Sequence, residues 1–192
     1  MGVPYPRDMT KRVLVPLAEG FEEMEAVILV DVLRRAGIDV ALAGLEGPGP
    51  VLGSRGSAVV AEGDWDEAAR EPYDAIALPG GLGGTRAMCD DERVVEAVRW
   101  NHASGRPTAA LCAAPLVLAR AGLAEGRALT SHPSVRDDLA AQGAAVRTDR
   151  VVRDGVLVTS QGPGTAMEFA LALAADLVGQ EAADEVSSAM CR

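Results

Sequence analysis

Cys112 sits where a thiol can react. The small apolar run Pro107-Thr108-Ala109-Ala110-Leu111 reads as a buried strand, and Ala113 to Ala121 reads as a helix opening directly behind the cysteine. A thiol at such a turn lies near the positive end of a helix dipole, which favours the nucleophilic thiolate. Hydrolases present a serine on the same strand–nucleophile–helix turn. A free cysteine is also commonly a small buried hydrophobe, so the local pattern leaves both readings open. Glu22, Glu23 and Glu25 cluster at a predicted helix start, where acids simply complement the dipole. The only histidines are His102 and His132. His132 precedes Pro133, which holds it out of a helix, whereas His102 falls on a predicted solvent-facing helix end.

The elements that must position these groups alternate along the chain. Arg12 to Leu17 reads as a first strand, and Glu22 to Ala36 as a helix with Met24, Ile28, Val32 and Ala36 recurring every four residues beside Leu29 and Leu33. Gly37 ends it, and Asp39 to Gly44 is a second strand. After the Gly47-Pro48-Gly49-Pro50 turn, Val51 to Ala61 has room for a small hairpin. Tyr73 to Leu78 is a third buried strand that ends at Pro79-Gly80-Gly81, and Asp91 to Ala103 is a helix stopped by Gly105. Ala128-Leu129-Thr130 is a short strand candidate. Val151-Val152 and Val156 to Thr159 form a hairpin across Asp154-Gly155. Thr165-Ala166-Met167-Glu168 matches a capping box, which assigns Glu168 to structure rather than chemistry. Glu181 to Arg192 adds a final helix.

Apolar strands alternating with helices predict an α/β fold, a doubly wound and mainly parallel sheet sandwiched by helices. In such sheets the site lies beyond the C-terminal strand ends, which brings Leu17-Ala18-Glu19, Pro79-Gly80-Gly81 and Cys112 to one rim. With 192 residues and 48% hydrophobic content, the chain suits one domain over 12–192 after a short polar extension over 1–11. Only 3% is aromatic, so aliphatic side chains must fill the core. The net charge of −10 argues against nucleic acid and anionic membranes as partners. Cys89, Cys112 and Cys191 are odd in number and unclustered, which disfavours a disulfide framework or structural zinc. The residues before Arg12 carry no hydrophobic signal region, and a cytoplasmic protein is expected.

The chain resembles the parkinsonism-associated protein deglycase, or DJ-one, family of the PfpI superfamily of flavodoxin-like proteins. The resemblance rests on Glu19 to Glu25, Val30 to Gly37, Leu78-Pro79-Gly80-Gly81, Ala110-Leu111-Cys112-Ala113, Thr130-Ser131-His132-Pro133 and Ser160 to Thr165, all in register. It implies that Cys112 is the nucleophile on the elbow, that Glu25 hydrogen-bonds it, and that His132 is the third member. It further implies an oxyanion hole from the N–H groups of Gly81 and Ala113, an anion-binding role for Arg55, and a homodimer packed around Met24 and Ile28. Beside a thiolate, Glu25 should have a raised pKa. Ala114 and Leu82 depart from the family's usual glycine and asparagine, and both are expected to alter the pocket rim. Cys89 and Cys191 match no family cysteine.

The implied activity is a glutathione-independent glyoxalase of the hydro-lyase type. It needs neither cofactor nor metal and converts methylglyoxal or glyoxal to lactate or glycolate, with deglycase action on early glycation adducts. The alternatives are a cysteine-based oxidative-stress sensor or chaperone, or a hydrolase of reactive acyl or phosphoglycerate species. The related peptidases place a histidine directly after the cysteine, and here Ala113 follows.

Overall fold

A computed structural model describes residues 10–192. The expected polar extension therefore lies, but for Thr10 and Lys11, outside the described residues. The chain starts β1 (Arg12–Leu17), α1 (Glu23–Arg35) and β2 (Asp39–Gly44), then a hairpin of β3 (Gly49–Leu52) and β4 (Ala58–Ala61). Next come β5 (Gly63–Asp64), α2 (Trp65–Ala68), β6 (Ala75–Leu78), α3 (Leu82–Asp90), α4 (Glu92–Ala103), β7 (Thr108–Leu111) and α5 (Pro115–Arg120). The remainder is β8 (Ala128–Leu129), α6 (Arg136–Ala141), β9 (Ala145–Val146), β10 (Val151–Asp154), β11 (Leu157–Ser160), α7 (Ala166–Val178) and α8 (Gln180–Ala189).

Seven strands form one sheet in the order β10-β11-β7-β6-β1-β2-β5, parallel throughout except for the β10–β11 hairpin. The chain runs outward from β1 to β2 and β5, then returns to the other side of β1 with β6 and β7. The strand order therefore reverses between β1 and β6, the kind of switch point where open α/β sheets form a crevice. Both faces are covered, so the strands are apolar on both sides. Val13, Val15 and Leu17 of β1 pack in one core with Leu29 and Leu33 of α1 and Phe169 and Leu173 of α7. Leu14 faces the other core, with Ile76 and Leu78 of β6, Val94 and Val98 of α4, and Val117 and Leu118 of α5. No helix among the described residues is long and apolar enough to cross a membrane.

Several local expectations change. The buried stripe of α1 is Glu25, Ala26, Leu29, Val32 and Leu33, whereas Met24 is exposed. Two glycines make residues 82–90 poor helix formers, yet α3 forms there. A β-carbon on Gly84 would lie 3.0 Å from the Phe21 α-carbon, so close approach of this helix to the Gly20–Phe21 backbone outweighs propensity. A four-residue α2 also forms where the sequence pattern predicts no element; Asp64 caps it by accepting from the Glu67 N–H. β8 pairs with β9 in a separate ribbon rather than joining the main sheet.

The Thr165–Glu168 capping box does not form. A 3-10 turn over Pro163–Thr165 precedes α7, and the Thr165 hydroxyl turns back to accept from the Gly162 N–H at 3.1 Å. Glu168 instead binds Arg150 and Arg192, which keeps it structural. His102 is half-buried at the end of α4 rather than solvent-facing.

Phe169 is fully buried in the core between sheet, α1 and α7. Phe169→Ala is expected to cost about 3–5 kcal/mol, through lost burial plus an incompletely collapsed cavity. Urea denaturation checks this; a loss below about 1 kcal/mol would contradict the packing described.

Candidate active site

β7 delivers Cys112 to the rim, and the chain turns sharply there. Cys112 adopts φ 64°, a left-handed conformation that costs an ordinary residue roughly 1–2 kcal/mol. Backbone hydrogen bonds hold it on both sides: its N–H donates to the Ser160 carbonyl at 3.0 Å, and its carbonyl accepts from the His132 N–H at 2.8 Å. The strand beside β7 and the loop after β8 thus impose the turn. The residue is 9% exposed, so the thiol is reachable only through a narrow opening.

The three glutamates at the start of α1 separate into three jobs. Glu22 is the N-cap and accepts from the Glu25 N–H at 2.8 Å. Glu23 faces the hairpin loop and accepts from the Arg55 and Ser57 N–H groups and the Ser54 hydroxyl. Glu25 turns inward and is fully buried. Its Oε2 accepts from the Gly80 N–H at 2.8 Å, while Oε1 has no nitrogen or oxygen partner and is left to the Cys112 thiol. Glu25 occupies a place on the apolar stripe four residues before Leu29. A carboxyl at a core position is the sequence signal that singles it out from its neighbours.

Glycines make this convergence possible. A β-carbon on Gly80 would stand 2.6 Å from the Cys112 β-carbon and 2.7 Å from Glu25 Oε2. A β-carbon on Gly162 would have His132 Cδ2 at 3.6 Å, Glu25 Oε1 at 3.9 Å and Cys112 Sγ at 4.0 Å. Cys112, Glu25 and His132 therefore surround one small volume, although they come from separate parts of the chain. Gly81 takes φ 88° at the start of α3, and its N–H and that of Ala113 both donate toward the Cys112 sulfur.

The electrostatics correct the expectation of a thiol ionised by its helix. α5 begins at Pro115, three residues on, and is only six residues long. Burial pushes the thiol up to about 12, and the Glu25 charge adds to this; the Gly81 and Ala113 N–H groups pull the other way. Burial likewise pushes Glu25 up to about 7, against the hydrogen bonds from Cys112 and Gly80. Two potential anions share one dry cleft, and the charge of one opposes that of the other. When Glu25 holds its proton, its charge no longer opposes the thiolate, and the two N–H donors work against the burial penalty that remains.

His132 is exposed, beside the cleft. Its Nδ1 accepts from the Ser134 N–H at 3.2 Å and meets the Ser134 hydroxyl at 2.8 Å. An acceptor at Nδ1 assigns the proton of the neutral ring to Nε2. Arg55 is exposed on the β3–β4 loop; its backbone anchors to Glu23, and its guanidinium makes no ion pair among the described residues. Leu82 is exposed beside Gly81, as expected at a rim, but Ala114 is fully buried in the core on the α4–α5 side and does not line the opening.

The chain matches the family described as "DJ-1/PfpI family" over residues 11–176. It is 46% identical over 182 residues to Protein dj-1beta of Drosophila melanogaster, covering 95% of this chain and 97% of that protein. It is 32% identical to "Glutathione-independent glyoxalase DJR-1.2" of Caenorhabditis elegans, covering 93% and 94%. The crystal structure of Drosophila melanogaster DJ-1beta superposes with a TM-score of 0.92 at 45% identity, covering 95% of this chain and 98% of that one.

The raised Glu25 has a consequence for stability. Between its ordinary value of 4.5 and about 7, the folded chain keeps a proton that the unfolded chain has released. Stability contributed by this group therefore falls as pH rises across that window and is level above it. Glu25→Gln is expected to remove the slope, leaving the variant more stable than wild type at pH 8 by an amount on the order of 2–3 kcal/mol. Parallel pH–stability curves for the two proteins would contradict the assignment.

Proposed function

The chain belongs to the DJ-1/PfpI family, and on that premise we propose that it is a cofactor-independent glyoxalase acting on small 2-oxoaldehydes such as methylglyoxal. The observation that carries this reading is the shared site of Cys112 and Glu25: a nucleophile and an acid–base group in contact, in a cleft too dry for both to ionise. A relative at 32% identity bearing the name glutathione-independent glyoxalase supports it.

With the proton on Glu25, the Cys112 thiolate adds to the aldehyde carbon. A C–S bond forms, and the aldehyde oxygen takes the Glu25 proton, giving a hemithioacetal. The Glu25 carboxylate then removes the hydrogen of that carbon, generating an enediolate, and returns this proton to the adjacent carbon while the hydroxyl proton of the first carbon passes to the former ketone oxygen. One carbon is oxidised and its neighbour reduced, so no external electron acceptor is required. The product is a thioester of the 2-hydroxy acid, and one water hydrolyses it to lactate while restoring the thiol. The Gly81 and Ala113 N–H groups stabilise negative charge developing on sulfur and oxygen. His132, carrying its proton on Nε2, acts as a donor to the ketone oxygen during enolisation. Early glycation adducts present the same carbon skeleton and are the expected secondary substrates.

We assign the exposed apolar side chains of Met24 (56%) and Val27 (50%) on α1, with half-buried Ile28 beside them, to packing against a second copy of the chain. A charged residue at the centre of that face, as in Val27→Lys, is expected to shift the protein toward monomer in sedimentation velocity. An unchanged sedimentation profile would remove this face from any interface.

Lactate formed from methylglyoxal without glutathione is the decisive measurement. Cys112→Ser is expected to lower turnover at least 1,000-fold, on the order of the loss when a catalytic nucleophile is removed, with the fold retained. His132→Ala is expected to lower kcat by roughly 10–100-fold, less than a full acid–base contribution, with little change in KM. Near-normal lactate production by the serine variant would sink the nucleophile. Negligible wild-type turnover, with mild peroxide adding two oxygens at Cys112, would replace catalysis with oxidative sensing.

A further inference from the structure

We infer that Ser134 is a positioning residue for His132: it holds the ring with its proton on Nε2 and the Nε2 edge toward the cleft. The catalytic consequence rests on the donor role proposed for His132 above; the ring geometry does not.

The backbone of this loop is fixed independently of the ring. The His132 N–H donates to the Cys112 carbonyl at 2.8 Å, and the His132 carbonyl accepts from the Val135 N–H at 3.1 Å. Pro133, with its locked φ, lies between. Half-buried Arg136 donates from Nε to the Ser131 carbonyl at 3.3 Å. None of these contacts reaches the imidazole. That side chain is exposed, and an exposed side chain exchanges rotamers in picoseconds to nanoseconds unless something holds it.

Ser134 supplies the hold. Its hydroxyl meets His132 Nδ1 at 2.8 Å, and its backbone N–H donates to the same atom at 3.2 Å. No other hydrogen bond reaches the imidazole from the described residues. A backbone N–H can only donate, so Nδ1 is the acceptor, and the hydroxyl that shares it donates as well. The neutral ring then carries its proton on Nε2. Ring connectivity decides where that proton points. Cδ2 is bonded to Nε2 and lies across the ring from Nδ1. A β-carbon on Gly162 would have His132 Cδ2 at 3.6 Å, Glu25 Oε1 at 3.9 Å and Cys112 Sγ at 4.0 Å. With Nδ1 turned to Ser134, the Cδ2–Nε2 edge is therefore the one on the side of the thiol and carboxyl. A half-turn of the ring would give up both Ser134 contacts and present an acceptor to the cleft in place of a donor.

Two-bond ¹H–¹⁵N correlations of the imidazole rings, recorded at about pH 9 where an ordinary imidazole is neutral, read the tautomer. The chain has two histidines, and His102→Gln leaves the His132 ring alone in the spectrum. Wild type is expected to show a pyrrole-type Nε2 and a hydrogen-bonded, pyridine-type Nδ1. In Ser134→Ala the Nδ1 signal should move toward that of an unbonded pyridine-type nitrogen, and Ser134→Thr should restore it. In methylglyoxal turnover, Ser134→Ala is expected to lower kcat about fivefold with KM unchanged, the order expected for one hydrogen bond, and to have no further effect in a His132→Ala background. The proposal is overturned by a wild-type ring protonated on Nδ1, by an Nδ1 signal that Ser134→Ala leaves in place, or by a loss of kcat that persists without the His132 ring. The nitrogen signals need no turnover, so an inactive wild type would remove the reaction proposed above while the spectrum still decides the role of Ser134.

Discussion

Two acids that resist ionising together occupy one dry cleft, and the architecture around Cys112 serves that contact. Glu25 arrives from the first helix and Cys112 from the strand two places from β1 in the sheet. Neither group reaches the other unless the intervening backbone has no side chain. Gly80 satisfies this condition where the α1 carboxylate passes, and its N–H holds one carboxylate oxygen. The second oxygen is then committed to the sulfur. The same burial that raises both groups also concentrates the effect of each proton, so that moving one proton within the pair moves the negative charge between oxygen and sulfur.

The strained turn at Cys112 has the same origin. A left-handed cysteine is unfavourable in isolation, and the fold offsets this with hydrogen bonds to Ser160 on one neighbour and His132 on another. The His132 backbone therefore stabilises the elbow, while its side chain is oriented by Ser134. Fold and cleft share these residues, so substitutions at Ser160 or in the His132 loop act on Cys112 through its backbone as well as through the cleft.

The switch in strand order between β1 and β6 explains why the glycine-rich turns gather there. The loop after β1 and the start of α3 press together so closely that Gly20, Gly81 and Gly84 face backbone rather than solvent. That contact forms a helix over Leu82–Asp90 despite its glycines. Hydrophobic pattern predicted the buried strands and the long helices because burial on both sheet faces writes an apolar run directly into the chain. The pattern does not predict α3, and the capping-box motif does not predict the Thr165 side chain, because a non-local backbone approach in the first case and a preceding 3-10 turn in the second outweigh the local preference.

By itself the chain determined its α/β class, the main strands and the rim on which Cys112 sits, and its family resemblance pointed to Glu25. The class, the strands and the rim are local patterns of burial and spacing. Only the tertiary structure decided the separate hydrogen-bond partners of Glu22, Glu23 and Glu25, that Ala114 faces the core rather than the opening, that His132 Nδ1 is engaged by Ser134, and that burial works against charge on the Cys112 thiol. Each of those depends on what lies beside a group in space. Desolvation, charge and hydrogen-bond partners come from residues tens of positions away, and no window of sequence contains them.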